Sequence, residues 1–237
     1  MGLIRHKRWI GWAISLFIFT FIVVCTTPPP SDYVSASSDI RISDLSKVKD
    51  ALNEGDVLVK CELSTPFDKM NESAAKGTLH ITVHRGLAPL ASNAFLDMVT
   101  TKHFDHNYLF RVVQNFIIQW GITQTKDNFP KVDIDPPPQS TSDSQIRSNV
   151  RGALNFAGGN SGSGQVYINR KTNPHLDKEP GSLPFATLDE KSMTIIDSVY
   201  SYKEGLGQVK AVKKGDEEVK QLFPRMSRIE KCWIDKT

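Results

Sequence analysis

Two stretches of the chain alternate apolar and polar residues, "VLVKCEL" at 57–63 and "TLHITVH" at 78–84, the second without a break: Leu79, Ile81 and Val83 against His80, Thr82 and His84. A period of two marks a strand with one buried and one solvated face, so both stretches are predicted strands and both histidines are expected to face solvent. Two histidines without a third ligand make no metal site. The period then changes. In "APLASNAFLDMVTTKHF", Leu90, Ala94, Phe95, Met98 and Val99 share one helical face, and Pro89 stands near the helix start. An earlier helix is predicted in "SDLSKVKDALNEG" at 43–55, with Leu45, Val48 and Leu52 at helical spacing, Ser43 as N-cap and Gly55 as stop.

The remainder is a succession of short segments. Strands are expected within 108–122, "RGALNFAGG" and "GQVYINR", a long polar loop through "DIDPPPQSTSDSQ", and a turn at "NPHLDKEPGSLPF". A helix is expected at "DEKSMTIIDSVYSY" and a last amphipathic stretch at "EEVKQLFPRMSRI". Many short strands with few helices imply an α+β or all-β domain with a barrel or sandwich at its centre. One residue is out of place: Arg111 interrupts "YLFRVVQNFIIQWGI", a run that otherwise has the composition of a buried strand. A guanidinium is rarely buried without a partner, so Arg111 either reaches the surface or serves a site.

Composition adds a compartment. The 237 residues, 39% of them apolar, suffice for one or two domains with a sizeable core. The net charge of +3 comes entirely from Arg5, Lys7 and Arg8, because from Asp32 onwards 26 basic residues face 26 acidic ones. A balance of that kind gives no clustered basic face for phosphates, and no nucleic-acid partner is expected. Residues 9–25, "WIGWAISLFIFTFIVVC", carry no charge; as a helix they reach roughly 26 Å, close to the ~30 Å hydrocarbon core. Length leaves a membrane anchor and a cleaved signal both open. The absence of a small-residue cleavage site directly after the run favours the anchor, and Val24 argues against acylation of Cys25. The basic residues before the run keep that end cytoplasmic and send the rest across the membrane. Three regions follow: the tip and membrane segment (1–25), a Pro/Ser-rich stalk with a short helix (26–56), and a domain with a C-terminal extension (57–237). A single-pass protein is expected, its domain in the secretory lumen or the periplasm, or secreted if the segment is cleaved. Cys61, Cys232 and the sequon Asn71-Glu72-Ser73, an acceptor for glycosylation, suit such a compartment, although two buried thiols would read the same way.

"GGNSGSGQV" at 158–166 has the spacing of a phosphate loop, but Gln165 and Val166 stand where Lys and Ser or Thr are required. Its "GNSGS" also echoes a serine-protease nucleophile loop around Ser161, with no assembled His and Asp context. A flexible turn between strands describes it better than either.

Taken in order and spacing, "APLASNAFLDMV", "YLFRVVQNFIIQWG", "RGALNFAGG", "GQVYIN", "NPHLD" and "PFATLDEKSMTIIDSVY" resemble the cyclophilin-type peptidyl-prolyl isomerases, in particular the compact microbial-type branch, over about residues 57–205. The resemblance implies an eight-stranded antiparallel barrel capped by helices. It also implies an enzyme that rotates X-Pro bonds of proline-containing polypeptides without cofactor or metal. By that resemblance Arg111, Phe116 and Gln119 are the catalytic residues, and Ile117, Ala157, Gly158, Gln165, Tyr167 and Leu176 line the substrate groove. Family barrels bring the chain ends together, which implies a disulfide between Cys61 and Cys232. Departures from the family pattern are Tyr167 for a Phe, Ser182 near a usual His, Trp120 for a Gly and His175 for a Trp. They leave a second reading open, a peptide-binding or chaperone module with weak turnover.

Overall fold

In the computed structural model the residues described are 55–69, 71–123, 132, 133, 135, 148–158, 164–179 and 181–236. The predicted membrane segment 9–25, the stalk, the helix of 43–55 apart from Gly55, and the loop around Ser161 lie outside them. Nine strands form one antiparallel sheet: β1 (Val57–Ser64), β2 (Gly77–Val83), β3 (Asn107–Tyr108), β4 (Arg111–Val112), β5 (Ile117–Trp120), β6 (Ala153–Phe156), β7 (Val166–Asn169), β8 (Ala186–Leu188) and β9 (Arg228–Ile234). Their order is β3-β9-β1-β2-β8-β6-β7-β5-β4. The two edge strands, β3 and β4, are separated in the chain only by Leu109 and Phe110. Three residue steps span at most about 11 Å, whereas nine strands laid flat at about 4.8 Å each would put the edges nearly 40 Å apart. The sheet therefore curls until its edges meet. Counted as one interrupted strand, 107–112 pairs with β9 by its first half and β5 by its second, and closes a barrel of eight.

Alternation selects the inward side chains. Val59, Cys61 and Leu63 of β1, Leu79, Ile81 and Val83 of β2, Ile118 and Trp120 of β5, and Val166 and Ile168 of β7 belong to one buried cluster. Helix α1 (Pro89–Thr100) adds Phe95, Met98 and Val99 to it, and α2 (Glu190–Asp197) adds Met193 and Ile196. Asp189 caps α2, accepting from the Ser192 backbone N–H at 2.7 Å. Two further helices, α3 (Gln208–Lys214) and α4 (Asp216–Leu222), cover a second cluster of Tyr108, Phe110, Ile122, Val212, Val219 and Phe223.

Four expectations change. Leu90 is 46% exposed, because the buried stripe of α1 runs through Ala91, Ser92, Phe95, Met98 and Val99. The start of that helix is held by the buried carboxylate of Asp135, which accepts from the backbone N–H groups of Leu90 (3.1 Å) and Ala91 (2.9 Å). His84 does not face solvent freely: its ring lies 3.0 Å from Asp56 Oδ2 and 2.8 Å from Thr187 Oγ1, and its side chain is only 21% exposed. The turn over 173–185 contains a 3-10 segment, Pro174–Lys178. The stretch "EEVKQLFPRMSRI" is helical only through Leu222 and ends in the first residues of β9, a strand the alternation did not reveal.

β9 lies alongside β1, with Cys61 opposite Cys232 and Leu63 opposite Ile229. The two cysteines are joined by a disulfide, with their Cα atoms 4.1 Å apart.

Candidate active site

β4 and β5 form a hairpin closed by the Val113 N–H donating to the Ile117 carbonyl at 2.9 Å. Asn115 takes the left-handed conformation (φ 55°) that the tight turn needs and that Asn tolerates better than most residues. The turn lifts Phe116 out of the sheet, half-buried, while the register sets Arg111 directly opposite Gln119. Because Ile118 and Trp120 point into the barrel, Ile117 and Gln119 lie on its outer face. Tyr167 is the strand neighbour of Gln119 on β7, and Asn169 that of Ile117.

The polar side chains on this face are linked. Arg111 donates from Nε to Glu204 Oε1 (2.6 Å) and from NH1 to Gln119 Oε1 (3.4 Å), and its guanidinium carbon lies 5.8 Å from the centre of the Phe116 ring. Gln119 passes the chain on, donating from Nε2 to Gln165 Oε1 at 2.8 Å. Phe116 stacks on His175 with ring centres 5.6 Å apart, and Leu176 follows in the same 3-10 segment. Ala157 donates its backbone N–H to the Gln165 carbonyl at 2.8 Å, and Gly158, exposed with φ 101°, ends that edge. The fold thus brings together Arg111, Ile117, Gln119 and Tyr167 on adjacent strands, with Phe116 in the turn before β5, Gln165 just before β7, Ala157 and Gly158 beside Gln165, and Leu176 beside His175.

Below them is a floor that sequence reasoning did not find. Asn149, Asn155, Asn169 and Asn173 are all fully buried. Asn149 Oδ1 accepts from Asn169 Nδ2 (3.0 Å) and from the Tyr167 hydroxyl (3.3 Å), while its Nδ2 donates to Asp177 Oδ1 (2.8 Å) and the Ser182 carbonyl (2.8 Å). Asn173 Nδ2 donates to Asn169 Oδ1 (2.8 Å) and to the Phe116 carbonyl (3.1 Å), tying the aromatic to the network. Buried amides are tolerated only when paired in this way, and a paired network fixes one arrangement of the residues above it. The only hint in the sequence was asparagine inside two otherwise apolar strands.

The Tyr167 hydroxyl is therefore turned into the floor and bonded to Asn149 and Ser182. Burial pushes its phenol up to about 12. Tyr167→Phe is expected to change kcat/KM by no more than about threefold and to cost about 1 kcal/mol of stability. Steady-state assay and a thermal melt check both.

The position of Gln165 is set by a close backbone approach. Gly121 has φ 110°, and a Cβ there would lie 2.5 Å from the Gly164 carbonyl and 2.7 Å from Gln165 Cα. His103 holds the same place, its Nε2 lying 3.2 Å from the Gly164 carbonyl. Burial pushes its pKa below the ordinary histidine range, against the hydrogen bonds to the backbone of Gly164 and Gly121, which raise it. Gly121→Ala is expected to destabilise the fold by roughly 2 kcal/mol or more, from the unfavourable φ and the clash together. It should also displace Gln165; a melt paired with the proline-peptide assay reads both losses.

Among the described residues no group of three or more His, Cys, Asp or Glu side chains is placed to hold a metal ion.

An arginine, a glutamine and an aromatic thus stand together on the outer face of the barrel, with apolar residues beside them. The profile of the family described as cyclophilin type peptidyl-prolyl cis-trans isomerase/CLD matches residues 68–230. Among solved structures, the crystal structure of a cyclophilin-type peptidyl-prolyl cis-trans isomerase of Cryptosporidium parvum is similar. Its TM-score is 0.53 at 16% identity, over 77% of this chain and 99% of that one. A crystal structure of the same Cryptosporidium protein in the presence of the dipeptide Ala-Pro gives a TM-score of 0.46 at 15% identity, over 76% of this chain and 99% of that one. The search of curated proteins finds no match. At such identities the first structure speaks for the fold alone. The profile covers more than half of the chain, which therefore belongs to the cyclophilin-type peptidyl-prolyl cis-trans isomerases, an enzyme family.

Proposed function

We propose that the protein catalyses cis-trans isomerisation of X-Pro bonds in polypeptides entering or residing in a compartment across the membrane, with Arg111 as the residue that stabilises the twisted bond. The barrier of about 20 kcal/mol arises because the amide nitrogen shares its lone pair with the carbonyl. As the bond twists, the lone pair returns to nitrogen and becomes an acceptor. A fixed donor aimed there stabilises the twisted state more than the planar one, and no nucleophile, cofactor or metal enters the reaction. The carrying observation is the Arg111 fork, held between Glu204 and Gln119 beside the Phe116 ring. Ile117, Phe116, Tyr167 and Leu176 supply the apolar surround for the proline ring; Gln119, Gln165, Ala157 and Gly158 bind the substrate backbone. The test is a protease-coupled assay on proline peptides with the full-length chain in detergent: acceleration of the cis to trans phase supports the reading, and its absence over several peptides sinks it. That second outcome would favour a peptide-binding module with weak turnover, a reading supported by Ser182, engaged with the Tyr167 hydroxyl near the usual position of the family's pocket histidine.

The setting is proposed from the sequence. Residues 9–25 anchor the chain, the domain from 57 onwards faces the secretory lumen or the periplasm, and Asn71 accepts a glycan where the lumen is that of the endoplasmic reticulum. Among the described residues no helix is long and apolar enough to cross a membrane, and 9–25 lie outside them. A disulfide between strands suits an oxidising compartment. Retention of the protein in the membrane after carbonate extraction supports the anchor, and a mature N-terminus after Ala36 excludes it.

A further inference from the structure

β4, the strand that carries Arg111, is two residues long and leaves a long side chain to be oriented by something else. The orienting group is Glu204, 93 residues further along, whose Oε1 accepts from Nε at 2.6 Å. Glu204 lies between α2 and α3 on a segment fastened at several points. Ser201 donates to the carbonyl of Val112, the residue after Arg111, and Gln208 Nε2 donates to the Lys203 carbonyl at 2.7 Å. Tyr202 packs edge-on against Phe223, ring centres 5.2 Å apart, and its hydroxyl accepts from the Arg225 backbone N–H at 2.9 Å. The same helical module that buries the second apolar cluster thus docks on the strand of the arginine and presents one carboxylate to it.

We propose that Glu204 is a positioning residue for Arg111: by taking Nε it fixes the plane of the guanidinium so that the two terminal nitrogens present their donors to the groove. This rests on the reading of Arg111 as the donor to the prolyl nitrogen. Arg has five N–H donors, and the ion pair with Glu204 engages only the one nearest the stem. Glu204 therefore leaves the two terminal nitrogens to Gln119, which takes one donor of NH1, and to the groove, which separates a positioning contact from an inhibitory lock. The exposures point the same way. With Arg111 37% and Glu204 52% exposed, the ion pair contributes little to stability, so its removal acts on orientation more than on folding. An unpinned arginine spreads over many rotamers, and only a fraction of bound complexes then have the donor in place, which lowers kcat and leaves KM nearly unchanged.

The experiment measures kcat, KM and the melting temperature of the full-length chain and its Glu204→Ala, Glu204→Gln, Arg111→Ala and doubly substituted forms. Glu204→Ala is expected to lower kcat about tenfold with KM changed less than about twofold and an unchanged melt. Glu204→Gln, which keeps an acceptor oxygen, should recover part of the loss. In the Arg111→Ala background Glu204→Ala should cost nothing further, because the group it positions is gone. An unchanged or raised kcat in Glu204→Ala, or an equal loss in the Arg111→Ala background, overturns the proposal. Full activity of Arg111→Ala overturns the underlying reading of Arg111 and this one with it.

Discussion

Replacing Arg111 by alanine is expected to lower kcat/KM by about 100-fold to 1,000-fold, or roughly 2.7 to 4 kcal/mol of transition-state stabilisation, the scale of deleting one aimed donor from a preorganised site. The fold should survive. Arg111 is partly exposed on an outer strand, and its partners Glu204 and Gln119 are themselves at least partly exposed. Gln119 keeps its second bond to Gln165. Arg111→Lys should recover little activity: an ammonium is a point charge on a flexible stem and cannot bond Glu204 through Nε while offering separate donors to the groove. Circular dichroism must show native structure in both variants, and a folded Arg111→Ala with full activity would falsify the catalytic assignment.

The second large effect belongs to the crosslink between β1 and β9. The Cys61–Cys232 disulfide closes a loop across a sequence separation of 171 residues. On the chain-entropy account a crosslink of that span removes enough freedom from the unfolded chain to stabilise the fold by roughly 5 kcal/mol. In a domain of this size that corresponds to a melting temperature higher by about 10 °C or more. Cys61→Ala/Cys232→Ala is the appropriate comparison, because both side chains lie in the barrel interior and serine would leave a buried hydroxyl there. A drop of less than about 2 °C would show that β1 and β9 are held by their ladder alone.

What the sequence showed depended on whether local periodicity matched three-dimensional burial. β1 and β2 alternate cleanly because each has one face on the core, and both were legible to within a residue. β9 was missed for a physical reason. The pairing of β1 with β9 shifts register between Glu62 and Leu63, so that Ile229 and Cys232 are its buried positions, three residues apart, and no period of two survives. Leu90 misled because a helix face is fixed by what it packs on, and Asp135, 45 residues away, holds the start of α1 in place. At the site, Arg111 was legible as a charge in the wrong surroundings, and the resemblance supplied its neighbours Phe116 and Gln119. Glu204 was not: it stands in a segment without periodicity, beside Gly205, and its meeting with Arg111 exists only after the helical module has docked. The asparagine floor was invisible likewise, since a buried amide and an exposed one are the same letter.

The interrupted strand 107–112 sets an order on folding. Tyr108 joins the last strand of the barrel, and three residues later Arg111 joins the hairpin that carries Phe116. Arg111 thus stands beside the seam where the middle of the chain meets its last strand, and the pairing of Tyr108 with Arg228 that makes the seam spans 120 residues of sequence. Loop closure over such distances is slow, whereas hairpins such as β4–β5 form early. A refolding chain will therefore regain most of its strand content before it regains a groove. Enzyme activity, followed in time, reports the closing of the barrel and lags behind the return of secondary structure.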